Sequence, residues 1–244
     1  MASTGGDRSL WTLALYPEAG EAGGSVRVAR PRPRDCEDGP VDPERSAAEA
    51  TRRARGQIRR YCAANRLNRL GTLTYRGEGC HDPYALRADV GLFFRALRTG
   101  LGERFPYLWV AQLHPGGHGL HVHFAVGRYV NRTLIDGSWG LGFVHIKLLG
   151  DLPVGSSALE EARLAARYIS PYVSRTLDEE RLAGLHRYEV AQGFQPGSIE
   201  CYGPTAEAAI ASASKVMGRE PAHVWRSSRE EGWNGPPACW AAWN

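Results

Sequence analysis

The stretch LWVAQLHPGGHGLHVHFAVGRYV, Leu108 to Val130, decides how the rest of the chain reads. Two runs of alternating residues flank PGGHG, whose proline and glycines carry turn chemistry, so the pattern predicts a β-hairpin. Successive side chains on a strand point to opposite faces. Leu120, Val122, Phe124 and Val126 therefore share a face with Tyr107, Trp109, Ala111 and Leu113 of the partner strand. His121, His123 and Ala125 take the other face, with Leu108, Val110 and Gln112. Closing the hairpin sets Gln112 opposite His121, so two imidazoles and an amide oxygen share one open surface. Such a trio supplies three metal ligands and leaves positions for water and substrate. Alone, an HxH pair is weak, since most are surface or hydrogen-bonded histidines. His114 and His118, beside or in the turn, read as exposed or phosphate-contacting; His81, His145, His186 and His223 read as structural.

Working outward, RLGTLTYRG predicts a strand with Thr72 and Thr74 on one face, and GFVHIKLLG a further strand. PYALRADVGLFFRALRTGL is an amphipathic helix. ALEEARLAARYISPYVSRTL is helical by period, interrupted by Pro171, with Tyr168 and Tyr172 one turn apart. SAAE reads as a capping box with Ser46 as N-cap, opening a helix whose stripe is Ala47, Ala50, Ala54, Ile58 and Tyr61. Arg52, Arg53, Arg55, Arg59 and Arg60 line the rest of it, a solvated or a phosphate-contacting face. LHRYEVAQGF and SIECYG read as a second hairpin, and TAEAAIASASKVM as a last helix before a Trp-rich tail. The expected class is α+β, an antiparallel sheet with helices packed on one face. The expected domains are an irregular basic arm over 1–43, a central domain over 44–203, and a helix and tail over 204–244 packed on that same domain.

Bulk properties narrow the function. At 244 residues the chain can bury a sizeable core, and 43% hydrophobic with 23% charged residues reads as globular. The net charge is +4, and Lys147 and Lys215 are the only lysines among 30 basic residues. Arginine suits bidentate phosphate contacts. Five scattered cysteines without a CxxC argue against a disulfide scaffold and a cysteine zinc site, and fit a reducing cytoplasm. No membrane span or signal peptide is read, and no GxxxxGK[ST] phosphate loop, so an ATP-driven motor is not expected.

Taken in order, the Thr-bearing strand, LHVHF and the helical YxxxY resemble the HUH superfamily of endonucleases, with the ferredoxin-like palm that implies. The chain is most similar to plasmid rolling-circle replication initiators of the actinobacterial type. The likeness runs from about Arg30 onward through RYCAANRLNRLGTLTYRGEGCHDP, HGLHVHFAVGRYV, GFVHIKLLGDLPVG and GLHRYEVAQGFQP. It implies a cytoplasmic, site-specific nickase acting on single-stranded or supercoiled origin DNA. It implies Mg²⁺ or Mn²⁺ held by His121, His123 and a third ligand, here Gln112, with His114 as the alternative. Tyr168 matches the nucleophile and Tyr172 the second tyrosine of two-tyrosine members. Attack leaves a 5′-phosphotyrosyl link and a free 3′-OH primer; a host helicase and DNA polymerase then extend it. Thr72, Thr74, Arg175, His118, Arg52, Arg55 and Arg59 are the candidate DNA or phosphate contacts. The chain departs from the family where Gln112 replaces glutamate, and where Pro171 and Arg175 replace lysines.

Other readings make different demands. Relaxases place the nucleophilic tyrosine before the histidines, whereas here both tyrosines follow them. Transposases of the superfamily keep this order. A catalytically weakened origin-binding remnant would bind without nicking. A single-strand-binding module would stack bases on Tyr75, Tyr107 and the C-terminal tryptophans, but gives no reason for paired histidines.

Overall fold

The computed structural model describes residues 10–27, 43–114, 116–148, 156–178, 186, 188–233 and 235–244. In chain order these form β1 (Leu10–Tyr16), β2 (Glu21–Arg27), α1 (Pro43–Ala64), β3 (Arg69–Tyr75), α2 (Pro83–Leu101), β4 (Tyr107–Leu113) and β5 (Leu120–Val126). There follow α3 (Arg132–Trp139), β6 (Gly142–Leu148), α4 (Ala158–Asp178), β7 (Glu189–Val190), β8 (Ile199–Gly203), α5 (Ala206–Met217), β9 (His223–Arg226) and β10 (Ala238–Ala242). The class is α+β, with two antiparallel five-stranded sheets. They belong to two compact units, Met1–Ser46 with Pro196–Asn244, and Ala47–Gln195.

The second unit carries the His-bearing hairpin. Its strand order is β6-β3-β5-β4-β7. Gln112 pairs with His121, Val110 with His123 and Leu108 with Ala125, the register that alternation predicts. Thr72 on β3 pairs with His123 on one side and His145 on the other, and Leu70 with Lys147. One sheet face is apolar throughout. Leu73, Trp109, Val122 and Phe124 bury there against Phe93 and Phe94 of α2 and Trp139 of α3. The second face is apolar only at one end, where Leu70, Leu108, Val110 and Ala125 cluster with Ile58 of α1 and Ala165, Ala166 and Ile169 of α4. Helices therefore lie on both faces, not one, and the polar end of the second face carries the histidines.

Two glycines make this end possible. A Cβ on Gly71 would fall 2.1 Å from the Phe124 ring, so β3 passes beneath that ring only without a side chain. Gly119 has φ +72°, and a Cβ there would meet the Cys80 carbonyl at 2.2 Å. That close approach lets Leu120 N donate to Cys80 O and pins the turn.

The first unit is a sheet of order β8-β1-β2-β10-β9 with α5 on it. Leu13, Leu15, Ala209, Ala213, Cys239, Ala241 and Trp243 form its core. Four expectations are corrected here. Residues 1–43 are not an irregular arm throughout, because LWTLALY and EAGGSVR are paired strands. Residues 204–244 do not belong with the histidine domain; they complete the sheet that β1 and β2 begin. The second hairpin does not form: β7 joins β4, whereas β8 joins β1. Helix α1 begins at Pro43, so Ser46 lies inside its first turn; proline is favoured at a helix start because its missing N–H has no partner to lose.

Candidate metal centre

Strand pairing brings Gln112, His121 and His123 together. His121 Nε2 lies 3.0 Å from His123 Nε2, which lies 3.1 Å from Gln112 Oε1. A single ring proton on His123 can point squarely at only one of these neighbours, so protons alone leave one contact between facing lone pairs. A cation at their convergence satisfies all three. Donors bound cis in octahedral geometry at the short distances Mg²⁺ demands stand about 3 Å apart. The donor set therefore fits a small divalent ion. Among the described residues no three His, Cys, Asp or Glu side chains form a metal-holding group, so an amide must be the third protein donor here.

The surroundings favour ligation too. Burial pushes both imidazoles down to about 4, His121 aided by His114 and His123 by His121, so both rings are neutral at pH 7. Thr72 Oγ1 lies 3.2 Å from His123 Nδ1. When the ring proton sits on Nδ1 it donates to that hydroxyl and leaves the Nε2 lone pair facing inward. His121 Nδ1 is buried without a hydrogen-bond partner, an orphan whose cost a metal–nitrogen bond would offset. His114 is not brought to the third position: its Nδ1 accepts from Gly116 N at 3.1 Å, and its ring sits 5.5 Å from that of His121. His118 is exposed, edge-on to His114.

Tyr168 of α4 is 45% exposed and stands over the neighbouring strands. With Thr72, His123, His145 and Lys147 it lines a pocket of about 120 Å³. The Lys147 ammonium lies 5.3 Å from the Tyr168 ring centre. Alternation along β6 puts His145 and Lys147 on the face of Thr72, and sequence reading assigned neither to the site. Tyr172 and Arg175 lie on α4, but their side chains fall outside the described residues. Thr74 Oγ1 donates to Phe143 O at the sheet edge. Arg52 and Arg55 are exposed and Arg59 half-buried on α1. A larger groove of about 710 Å³, lined by Arg53, Gln57, Arg87 and Tyr188, contains none of the converging donors.

No described helix is long and apolar enough to cross a membrane. No curated protein and no solved structure matches the chain. Residues 68–177, running from the start of β3 through both tyrosines of α4, match the model of the replication-associated protein ORF2 family, and this match supports a part in replication initiation, with origin DNA as the implied ligand.

Proposed function

We propose that the unit holding the histidines is an HUH-type, metal-dependent single-strand DNA endonuclease and strand transferase that initiates rolling-circle replication of a plasmid. The observation that carries the reading is the convergence of Gln112, His121 and His123 beside a pocket that Tyr168 shares. Mg²⁺ or Mn²⁺ held by those three residues would neutralise charge on the scissile phosphate. Thr72 orients His123. Tyr168 attacks phosphorus: its oxygen–phosphorus bond forms as the bond from phosphorus to the 3′ oxygen breaks. The phenolic proton leaves to solvent, and the departing oxygen takes up a proton as a free 3′-OH primer. Phosphoryl transfer of this kind needs positioning and charge neutralisation more than a strong base. The phosphotyrosyl link keeps the bond energy, so religation by the reverse attack needs no ATP. Tyr172 is the second tyrosine. His118, Thr74, Arg175 and the α1 arginines Arg52, Arg55 and Arg59 supply non-specific phosphate contacts. A host helicase and polymerase in the cytoplasm would extend the primer.

The test is to offer single-stranded or supercoiled origin DNA with Mn²⁺ and look for a denaturation-resistant protein–DNA adduct. Tyr168→Phe and His121→Ala should abolish it. Loss in Tyr172→Phe alone would move the nucleophile to Tyr172. Absence of any adduct with Mg²⁺ or Mn²⁺ and the cognate origin would favour the second reading, an origin-binding remnant, to which the neutral Gln112 and the helix-interrupting Pro171 both point.

A further inference from the structure

We propose that Lys147, on edge strand β6, is the side chain that grips the scissile phosphate beside Tyr168; this rests on the nuclease reading of the site. The pocket between His123 and Tyr168 must admit an anion, yet its imidazole wall is neutral and Thr72 is turned to His123. Lys147 lines that pocket with an exposed ammonium 5.3 Å from the Tyr168 ring centre. No carboxylate pairs with it among the described residues, so its charge is not already neutralised. It stands on the far side of the Thr72 row from the metal donors, two strands from His121, because β6 pairs with β3 and β3 with β5. A phosphate in the pocket would thus meet the metal donors on one side and an ammonium on the other. Both would face the phosphorus that the tyrosine approaches.

The residue type fits the place. Lysine carries a compact charge on a flexible stem, and its three N–H donors turn to follow phosphate oxygens as the geometry at phosphorus changes. Arginine, which supplies nearly all the other positive charge of this chain, would set a planar fork against the tyrosine ring instead. The aliphatic stem of Lys147 lies along the sheet over the Leu70 row, holding the ammonium up at the height of the ring. His145, two residues back on the same face, lines the pocket on its outer side.

Two readouts test this on the full chain. The first is binding of short oligothymidylate by Tyr168→Phe protein in Mn²⁺, followed across salt concentrations. One lost phosphate contact on a single strand lowers the slope of log affinity against log salt by about 0.7. Adding Lys147→Gln should produce that drop, and Lys147→Arg should keep the slope. The second is the rate of adduct formation on origin DNA, where Lys147→Gln in otherwise unaltered protein should lose roughly 10- to 100-fold, the range of a lost phosphoryl-charge contact. An unchanged salt slope in Lys147→Gln overturns the assignment, whatever the adduct does. Absence of adduct from the unaltered protein sinks the nuclease reading instead, and the slope then still decides whether Lys147 holds phosphate. Unfolding midpoints of both variants should match the parent, since the side chain is exposed and pairs with no carboxylate among the described residues.

Discussion

Replacing Gln112 by glutamate would put a full negative charge where the chain now holds an amide, and the distances set the expected scale. A carboxylate oxygen in the place of Oε1 would stand 3.1 Å from His123 Nε2. Against a unit positive charge there, at an effective dielectric near 20, the attraction is about 5 kcal/mol. Burying the carboxylate costs several kcal/mol, because the Gln112 side chain is almost wholly buried. The surplus goes to whichever cation fills the site. With a divalent ion the expected gain is roughly 1.4–2.8 kcal/mol, about 10- to 100-fold tighter binding. Without it the new charge lifts His123 from its low value, and a proton competes for the same position. Titration calorimetry of Gln112→Glu with Mn²⁺, without DNA, should therefore show tighter binding at pH 8 and a smaller gain at pH 6. Gln112→Leu should weaken binding at both. Unchanged Mn²⁺ affinity in a folded Gln112→Glu protein would refute the argument, because it would mean that position 112 does not face the ion.

Three further outcomes follow from features described above. Metal-free protein should lose stability as pH falls: both histidines titrate near 4 when folded but near 6.5 when unfolded, so between those values the unfolded chain takes up protons that the folded one refuses. The loss is on the order of 2 kcal/mol per histidine once screening at the open side is allowed for, and urea midpoints in chelator should fall from pH 6.5 to pH 4 but stay flat above. His121→Gln with His123→Gln should flatten that slope. Gly71→Ala must drive the Phe124 ring out of place; we expect about 1–3 kcal/mol of destabilisation and weaker Mn²⁺ binding, read by chemical denaturation and calorimetry, since His123 is the neighbour of Phe124. Trp243→Ala removes a fully buried indole whose Nε1–H donates to Arg219 O, and should cost the first unit roughly 3–5 kcal/mol while leaving Mn²⁺ affinity unchanged.

The site was legible where local rules govern it. PGGHG fixed the turn, alternation fixed the faces, and together they place Gln112 against His121 at the register found. What escaped depends on contacts distant in sequence. Lys147 could be put on the histidine face once β6 was known to neighbour β3, but nothing in GFVHIKLLG says which strand it joins. His145, read as structural, escaped for the same reason. EAGGSVR has poor strand propensity; it becomes β2 because β1 and β10 flank it on either side. A Cβ on Gly24 would lie 1.9 Å from the Thr12 carbonyl, so the glycines that made this stretch look irregular are what let it fit between its partners. The Trp-rich tail gave no periodic signal, since its strand is short and its apolar face is completed by α5.

The order of strands in the first sheet bears on how the chain is made. Strands β1 and β2 leave the ribosome early, but their outer partners β8 and β10 emerge only after residues 47–195. All pairings of the histidine sheet, by contrast, close within residues 69–190. During synthesis the DNA-handling unit can therefore assemble while the first hairpin waits with both edges unpaired, a stage at which a sheet is most open to wrong partners.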